Sequence, residues 1–386
     1  MEVQRSAFIE NVSLVNYKSI GDVHVTLRPL TVVVGRNGSG KSNFLDSLHF
    51  VAEALLTTLG QAISTRGGAK ALTHRWRGPR LRIEISFRFA DDRKGTYALV
   101  LEDGLVEFEK LEIDASDELP NAGYERAGVT VRAHVRNERL PAMPAVFPDR
   151  LALVSLSGHA EFREAFDALS SMRFYRFNPE AMRGLQDPDE GTVLREDGSN
   201  IASVWRRLQS SDPAALERLE QFLGAIVPEI GRIRPVQLGP KETLYFHQSG
   251  AGLQELEFYA SSMSDGTLRA LGALVASRQG NGALSPAVVG IEEPETALHP
   301  GAVAALMDAL HEASAKTQII ITSHSPDLLD HVDIDTDALL VTDLRDGATT
   351  IAAVDGASRA AIRRDLYTPG ELLRMDQLQP AEAPRG

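Results

Sequence analysis

Apolar positions along the chain change their spacing several times, and each change marks a different kind of element. Residues 7–17 and 22–27 carry β-branched and apolar side chains around a turn at Ile20 and Gly21, which predicts two strands. Thr31, Val32, Val33 and Val34 form a short buried run of strand type. Phe44, Leu48, Val51, Leu55 and Leu59 then recur on one helical face that Gly60 closes. Residues 60–78 are rich in glycine and arginine and read as a mobile connection. Beyond them Leu81, Ile83, Ile85, Phe87 and Phe89 alternate with Arg82, Glu84, Ser86 and Arg88, the period of a half-buried strand. Residues 97–101 and 105–113 flank Asp103-Gly104 as a hairpin, and Val129, Val131, Ala133 and Val135 alternate again. Residues 137–150, with Pro141, Pro144 and Pro148, read as a loop.

The second half begins with a helix at 161–170, a strand at 172–177 and a polar loop at 186–200. Helices are expected at 201–210 and 214–226, and strands at 232–237, 242–247 and 253–259. From there helix and strand alternate. Leu268, Leu271 and Val275 mark a helix before a buried strand at 287–291. Val303, Leu306 and Leu310 mark another before a buried strand at 318–322. Residues 339–342 and 349–354 are expected as closing edge strands, and the Pro/Ala-rich tail from Gln377 as disordered. The chain shows no internal repeat and no heptad pattern for a long coiled coil.

Composition narrows the chemistry. Among 386 residues there is no cysteine, which excludes disulfides, thiolate metal sites and thiol nucleophiles. Fifty-three acidic against 40 basic residues give a net charge of −13, which argues against coating nucleic acid over the whole surface. No hydrophobic signal core or membrane-length apolar run is present, so a cytoplasmic protein without a membrane partner is expected.

Gly35-Arg36-Asn37-Gly38-Ser39-Gly40-Lys41-Ser42 satisfies the spacing of a phosphate-binding loop, between a buried strand and a helix that continues through Asn43. The glycines let successive N–H groups turn inward onto phosphate oxygens, and the helix N-terminus adds positive potential. Lys41 is expected to reach the β- and γ-phosphates of ATP and Ser42 to ligate Mg²⁺. A second cluster, Glu292-Glu293-Pro294-Glu295, ends the strand at 287–291. Strand tips beside a P-loop are where a Mg²⁺–nucleotide needs carboxylates. Glu292 is assigned to the metal through water, and Glu293 to deprotonating the attacking water. His324, at the tip of the next strand, is placed to bond a γ-phosphate oxygen or that water. Ser264 has the character of an N-cap, and Gly266 leaves backbone N–H groups open to an anion.

Together these segments resemble the ABC-class ATPase heads of the SMC, RecF and OLD-like group, specifically stand-alone OLD-like predicted AAA-family ATPases. Gly35 to Ser42 is similar to Walker A, and the run from Ile291 through Glu295 to Leu298, His299 and Pro300 to Walker B and the D-loop. Ser264, Asp265 and Gly266 resemble the signature motif, and His324 the switch histidine. Asn16-Tyr17-Lys18-Ser19 resembles a stretch whose basic residue approaches the nucleotide, which gives Lys18 that role. Tyr367-Thr368-Pro369-Gly370-Glu371-Leu372 is similar to the end of such stand-alone ATPases. No Q-loop glutamine stands out, and Asn178 is its substitute. OLD nucleases continue into a Toprim domain that this chain lacks, so nuclease activity would come from a partner.

The resemblance implies an α/β P-loop NTPase with a mixed parallel sheet, an N-terminal antiparallel portion and an inserted α+β lobe. The head divides into 1–60 and 261–375, with the insertion at 61–260 and a tail at 376–386. It also implies an ATP-dependent homodimer in which the signature of one head completes the site of the other. Two couplings stay open: DNA transactions in repair or phage defence, or regulation of a protein partner. Arg75, Arg77 and Arg80, within a basic run from Arg66 to Arg88, are the candidate DNA contacts, and a solvated strand face is the alternative.

Overall fold

The computed structural model describes residues 7–74, 76–116, 119–141, 145–228, 230–248, 256–279, 285–330 and 335–382. Its centre is a run of five strands paired in parallel, in the order Arg173–Tyr175, Val288–Glu292, Gln318–Ser323, Leu30–Val34 and Leu339–Arg345. Their side chains alternate between two cores. Val33, Val288, Ile320 and Leu340 face one, with the helices Lys41–Leu56 and Ala160–Ser170 over it. Val32, Val34, Val289, Ile291, Ile319, Ile321, Leu339 and Val341 face the other, under Ile201–Ser211, Pro213–Ile226, Asp265–Arg278 and Pro300–Ser314. Burial on both faces explains why these strands read as continuous apolar runs.

The strands expected to close an edge lie instead in the middle of the sheet. Leu339–Arg345 pairs in parallel with Leu30–Val34 on one side and antiparallel with Ala348–Ala353 on the other. Ala348–Ala353 then meets Ile20–Thr26 at Thr349 and Ile20. Through that junction the antiparallel strands Ile20–Thr26, Ala7–Tyr17, Arg80–Phe89, Lys94–Glu102, Leu105–Ile113, Ala122–Ala127, Thr130–Val135 and Glu138–Arg139 continue the same sheet of 14 described strands. A short apolar run reports burial but carries no strand order, so the edge assignment had no physical basis.

Residues 61–260, expected as an insertion, therefore fall into two parts. The first part extends the main sheet. The later part packs the helix Pro213–Ile226 onto Asp265–Arg278 and Pro300–Ser314, beside a separate sheet of Ile230–Leu238, Lys241–Gln248 and Leu256–Tyr259. Residues 253–255 of the last expected strand lie outside the described residues.

Under the first part sits a fully buried polar cluster, with Glu109 and Arg126 both at 0% exposure. Tyr124 Oη donates to Glu109 Oε1 at 2.6 Å, and the N–H groups of Ala152 and Leu153 donate to its two oxygens at 2.7 and 3.2 Å. Arg126 donates onward to the carbonyls of Gly128 and Phe147, at 2.7 and 3.1 Å. The proline-rich loop is thereby tied to the sheet.

Two further expectations change. The connection 60–78 contains the short helices Leu59–Ser64 and Ala69–Leu72, and Leu59 opens a new helix capped by Thr58. Arg66 packs inward against Asp46 and Glu53, with only 6% of its side chain exposed. The tail from Gln377 is held through residue 382: Leu378 is buried, and Ala381 N–H donates to the Ala353 carbonyl at 2.8 Å. Among the described residues no helix is long and apolar enough to cross a membrane.

Candidate nucleotide site

The glycine-rich loop leaves the strand Leu30–Val34 at Gly35, exposes Arg36, Asn37 and Gly38 at its tip, and enters the helix Lys41–Leu56. Gly40 takes φ +103° immediately before the helix, and a Cβ there would overlap the Thr349 side chain. The loop is held from outside by residues that no motif announces. Thr349 Oγ1 donates to the Ser39 carbonyl at 2.9 Å, and Thr342 Oγ1 to the Val34 carbonyl at 3.0 Å. Ser39 Oγ meets Thr342 Oγ1 at 2.5 Å, and Asn43 Nδ2 donates to Ser19 Oγ at 2.7 Å. Two threonines interrupting apolar strands were the only sequence signal for this support.

Lys41 is buried and donates from Nζ to the carbonyls of Gly35 and Arg36 at 2.8 and 3.0 Å. Desolvation lowers its pKa, and the nearby charges of Glu293, Glu295 and Glu292 oppose that shift without cancelling it. Ser42 Oγ donates to Glu292 Oε2 at 3.0 Å. A hydroxyl and a carboxylate brought together by the P-loop and a neighbouring strand tip form a hard oxygen pair. That pair fits Mg²⁺, which takes few protein ligands and keeps several waters.

Glu293 sits just past that strand with φ +45°, an unusual conformation for a side chain of its size. Its N–H donates to the Thr322 carbonyl at 3.0 Å, and its Oε1 lies 3.1 Å from His324 Nδ1. Both side chains are partly open to solvent, at 36% and 42% exposure, so water can approach the pair. Glu295 does the opposite. It is buried, Ser323 Oγ donates to its Oε1, and among the described residues Oε2 has no hydrogen-bond partner. Burial raises its pKa. Ser323 Oγ also accepts from the Ser325 N–H at 3.0 Å, lacing the two strand tips together.

Residues 30–330 match the family described as "AAA domain, putative AbiEii toxin, Type IV TA system". The chain belongs to that AAA-domain family. No curated protein matches the sequence. Among solved structures, the SMC head bound to the C-winged helix domain of ScpA superposes with a TM-score of 0.57 at 14% identity, covering 91% of this chain and 99% of that one. The SMC head with an extended coiled coil bound to the C-terminal domain of ScpA, from Pyrococcus furiosus, gives 0.53 at 14% identity, covering 93% and 99%. This AAA-domain chain is an ATP-binding P-loop ATPase with the fold of an SMC head.

The remaining expected residues of this ATPase are less uniform. Ser264 caps the helix Asp265–Arg278, its Oγ accepting from the Thr267 N–H at 3.1 Å, and Gly266 is buried in the first turn. Arg183 ion-pairs with Asp265 and donates from Nε to the Met263 carbonyl at 3.1 Å, a support the sequence did not reveal. No hydrogen bond or ion pair among the described residues joins Ser264, Asp265 or Gly266 to the P-loop. Lys18, at φ +49°, is bound 2.5 Å from Asp46 on the P-loop helix, where Tyr17 Oη and Arg66 also converge.

Asn178, the expected Q-loop substitute, caps the helix Pro179–Arg183, its Oδ1 accepting from the Glu180 N–H at 3.1 Å. Tyr175 and Arg176, at the end of the strand Arg173–Tyr175, line a cleft of about 130 Å³ together with Glu292, Asp46, His49 and Glu196. Arg75 lies outside the described residues. Arg77 lies over Gly21, and Arg80 Nε is paired with Glu107 at 2.7 Å. Arg82 pairs with Glu84 and Arg88 with Glu10. Within the basic run, Arg66, Arg80, Arg82 and Arg88 are thus each paired with a carboxylate.

Proposed function

We propose that this ATPase is a nucleotide-driven switch that closes head to head around two ATP molecules and opens on hydrolysis. The observation that carries the reading is the contact of Glu293 Oε1 with His324 Nδ1 at 3.1 Å, one residue beyond the Ser42–Glu292 pair. Lys41 and the N–H groups of Gly38 to Ser42 would hold the phosphates. Ser42 and Glu292 would hold Mg²⁺, which when bound neutralises developing phosphate charge. Glu293 would take the proton of the attacking water, and His324 would orient that carboxylate and the γ-phosphate.

The signature is supported by Arg183 but, among the described residues, has no bonded link to its own P-loop, and this favours completion of each site by a second copy. Ser264 and the Gly266 N–H of one head would then meet the γ-phosphate held by the other. Mixing tests this directly. Lys41→Ala and Ser264→Arg proteins should each be inactive alone, and their mixture should regain ATP turnover because one intact composite site forms per heterodimer. A mixture that stays inactive contradicts completion in trans.

Pairing of Arg66, Arg80, Arg82 and Arg88 with carboxylates favours a protein partner over the DNA coupling in repair or phage defence. The two SMC heads that share this fold are themselves bound to domains of ScpA. ATP turnover unchanged by added duplex or single-stranded DNA supports the protein reading. Salt-sensitive stimulation by DNA would reinstate the other.

A further inference from the structure

The conspicuous run from Tyr367 to Leu372 takes no part in the site as described so far, yet it leans on the segment that carries His324. Residues Pro326–Asp330 form a single helical turn that begins two residues after His324. The helix Pro369–Arg374 packs across it. Thr368 caps this second helix in a reciprocal box with Glu371, and Thr368 Oγ1 also donates to Asp330 Oδ1. Gly370 allows the close approach: a Cβ there would overlap the Asp330 carboxyl and the Pro326 carbonyl. Arg374 completes the contact by forking, Nη1 donating to Asp330 Oδ2 and Nη2 to Asp327 Oδ1, each at 2.5 Å. Beneath the fork, Leu328, Leu329 and Leu372 are buried.

The far end of the same segment is anchored elsewhere. Asp376 pairs with Arg36 of the P-loop at 3.1 Å, and Asp355 N–H donates to the Gln379 carbonyl at 3.0 Å. The segment therefore spans from the phosphate loop to the turn behind His324. Only Ser325 separates that turn from the histidine, so a shift of the turn would carry the imidazole relative to Glu293.

We infer that Arg374 is a positioning residue for ATP hydrolysis, setting His324 against Glu293 by clamping Asp327 and Asp330. The inference rests on the reading of Glu293 and His324 as the hydrolytic pair. Arg374 touches neither. Its side chain is 45% exposed, and exposed ion pairs add little to folding, so losing it should alter geometry more than stability.

A double-mutant cycle tests it on the full chain, with turnover at saturating MgATP, ATP affinity and melting temperature read for each protein. Arg374→Ala should lower kcat about tenfold, leaving ATP affinity within about twofold and melting nearly unchanged. Arg374→Lys should recover only part of the loss, because one ammonium cannot reproduce a fork across two carboxylates. In a His324→Ala background, Arg374→Ala should change kcat by less than about twofold. Wild-type turnover in Arg374→Ala overturns the inference, as does an equal fall with and without His324. If His324→Ala itself turns over normally, the hydrolytic reading of His324 fails, and this inference with it.

Discussion

At the scale of single residues, Glu295 carries a buried carboxyl that, among the described residues, only Ser323 partners, on one oxygen. Burial raises its pKa above the ordinary 4.5, so in the window above that value the folded chain holds a proton that the unfolded chain releases. The stabilising contribution is full below about pH 4.5 and is lost as pH rises through the folded value. Glu295→Gln should therefore become progressively more stable than the wild type from acid toward neutral pH. Melting temperatures of the two proteins across that range check it, and a constant difference would mean that the carboxyl titrates normally. Glu293 and Lys41 separate binding from chemistry. Glu293→Gln should keep MgATP affinity and lose at least about a hundredfold in turnover. Lys41→Ala should lose ATP binding itself. Turnover by Glu293→Gln at the wild-type rate would remove Glu293 as the base.

At the scale of elements, what was legible followed from how locally each feature is encoded. The P-loop, Glu292, Glu293 and His324 lie in short segments directly after buried apolar runs, so spacing alone placed them at strand tips. Their supports come from distant parts of the chain. Thr342 and Thr349 reach Val34 and Ser39, and Arg183 reaches Asp265, through contacts that no local pattern encodes. Asn178 shows how a polar residue after a strand has two equally local uses, lining a site or capping the next helix, and its cap bond to Glu180 was not readable from the pattern. The buried Glu109–Arg126 pair was likewise invisible, since both residues sit in strands whose alternation looks half-solvated. It makes a firm prediction. Arg126→Met should destabilise the fold by about 3–5 kcal/mol, because it leaves the Glu109 charge buried without its cation. Adding Glu109→Gln should restore part of that loss, measured by denaturant unfolding. Equal stability of Arg126→Met and wild type would show that the cluster is not an electrostatic clamp.

At the scale of the whole molecule, one sheet carries both the nucleotide loop and the long antiparallel extension. Ala348–Ala353 joins them, and its Thr349 also holds Ser39 of the P-loop. The switch proposed here uses that continuity only if two heads close on ATP. Light scattering on Glu293→Gln, with MgATP and without nucleotide, shows whether nucleotide brings two heads together. The expected result is a dimer retaining two ATP molecules in the first condition and a monomer in the second. A single-copy protein in both conditions, with ATP bound, would contradict it.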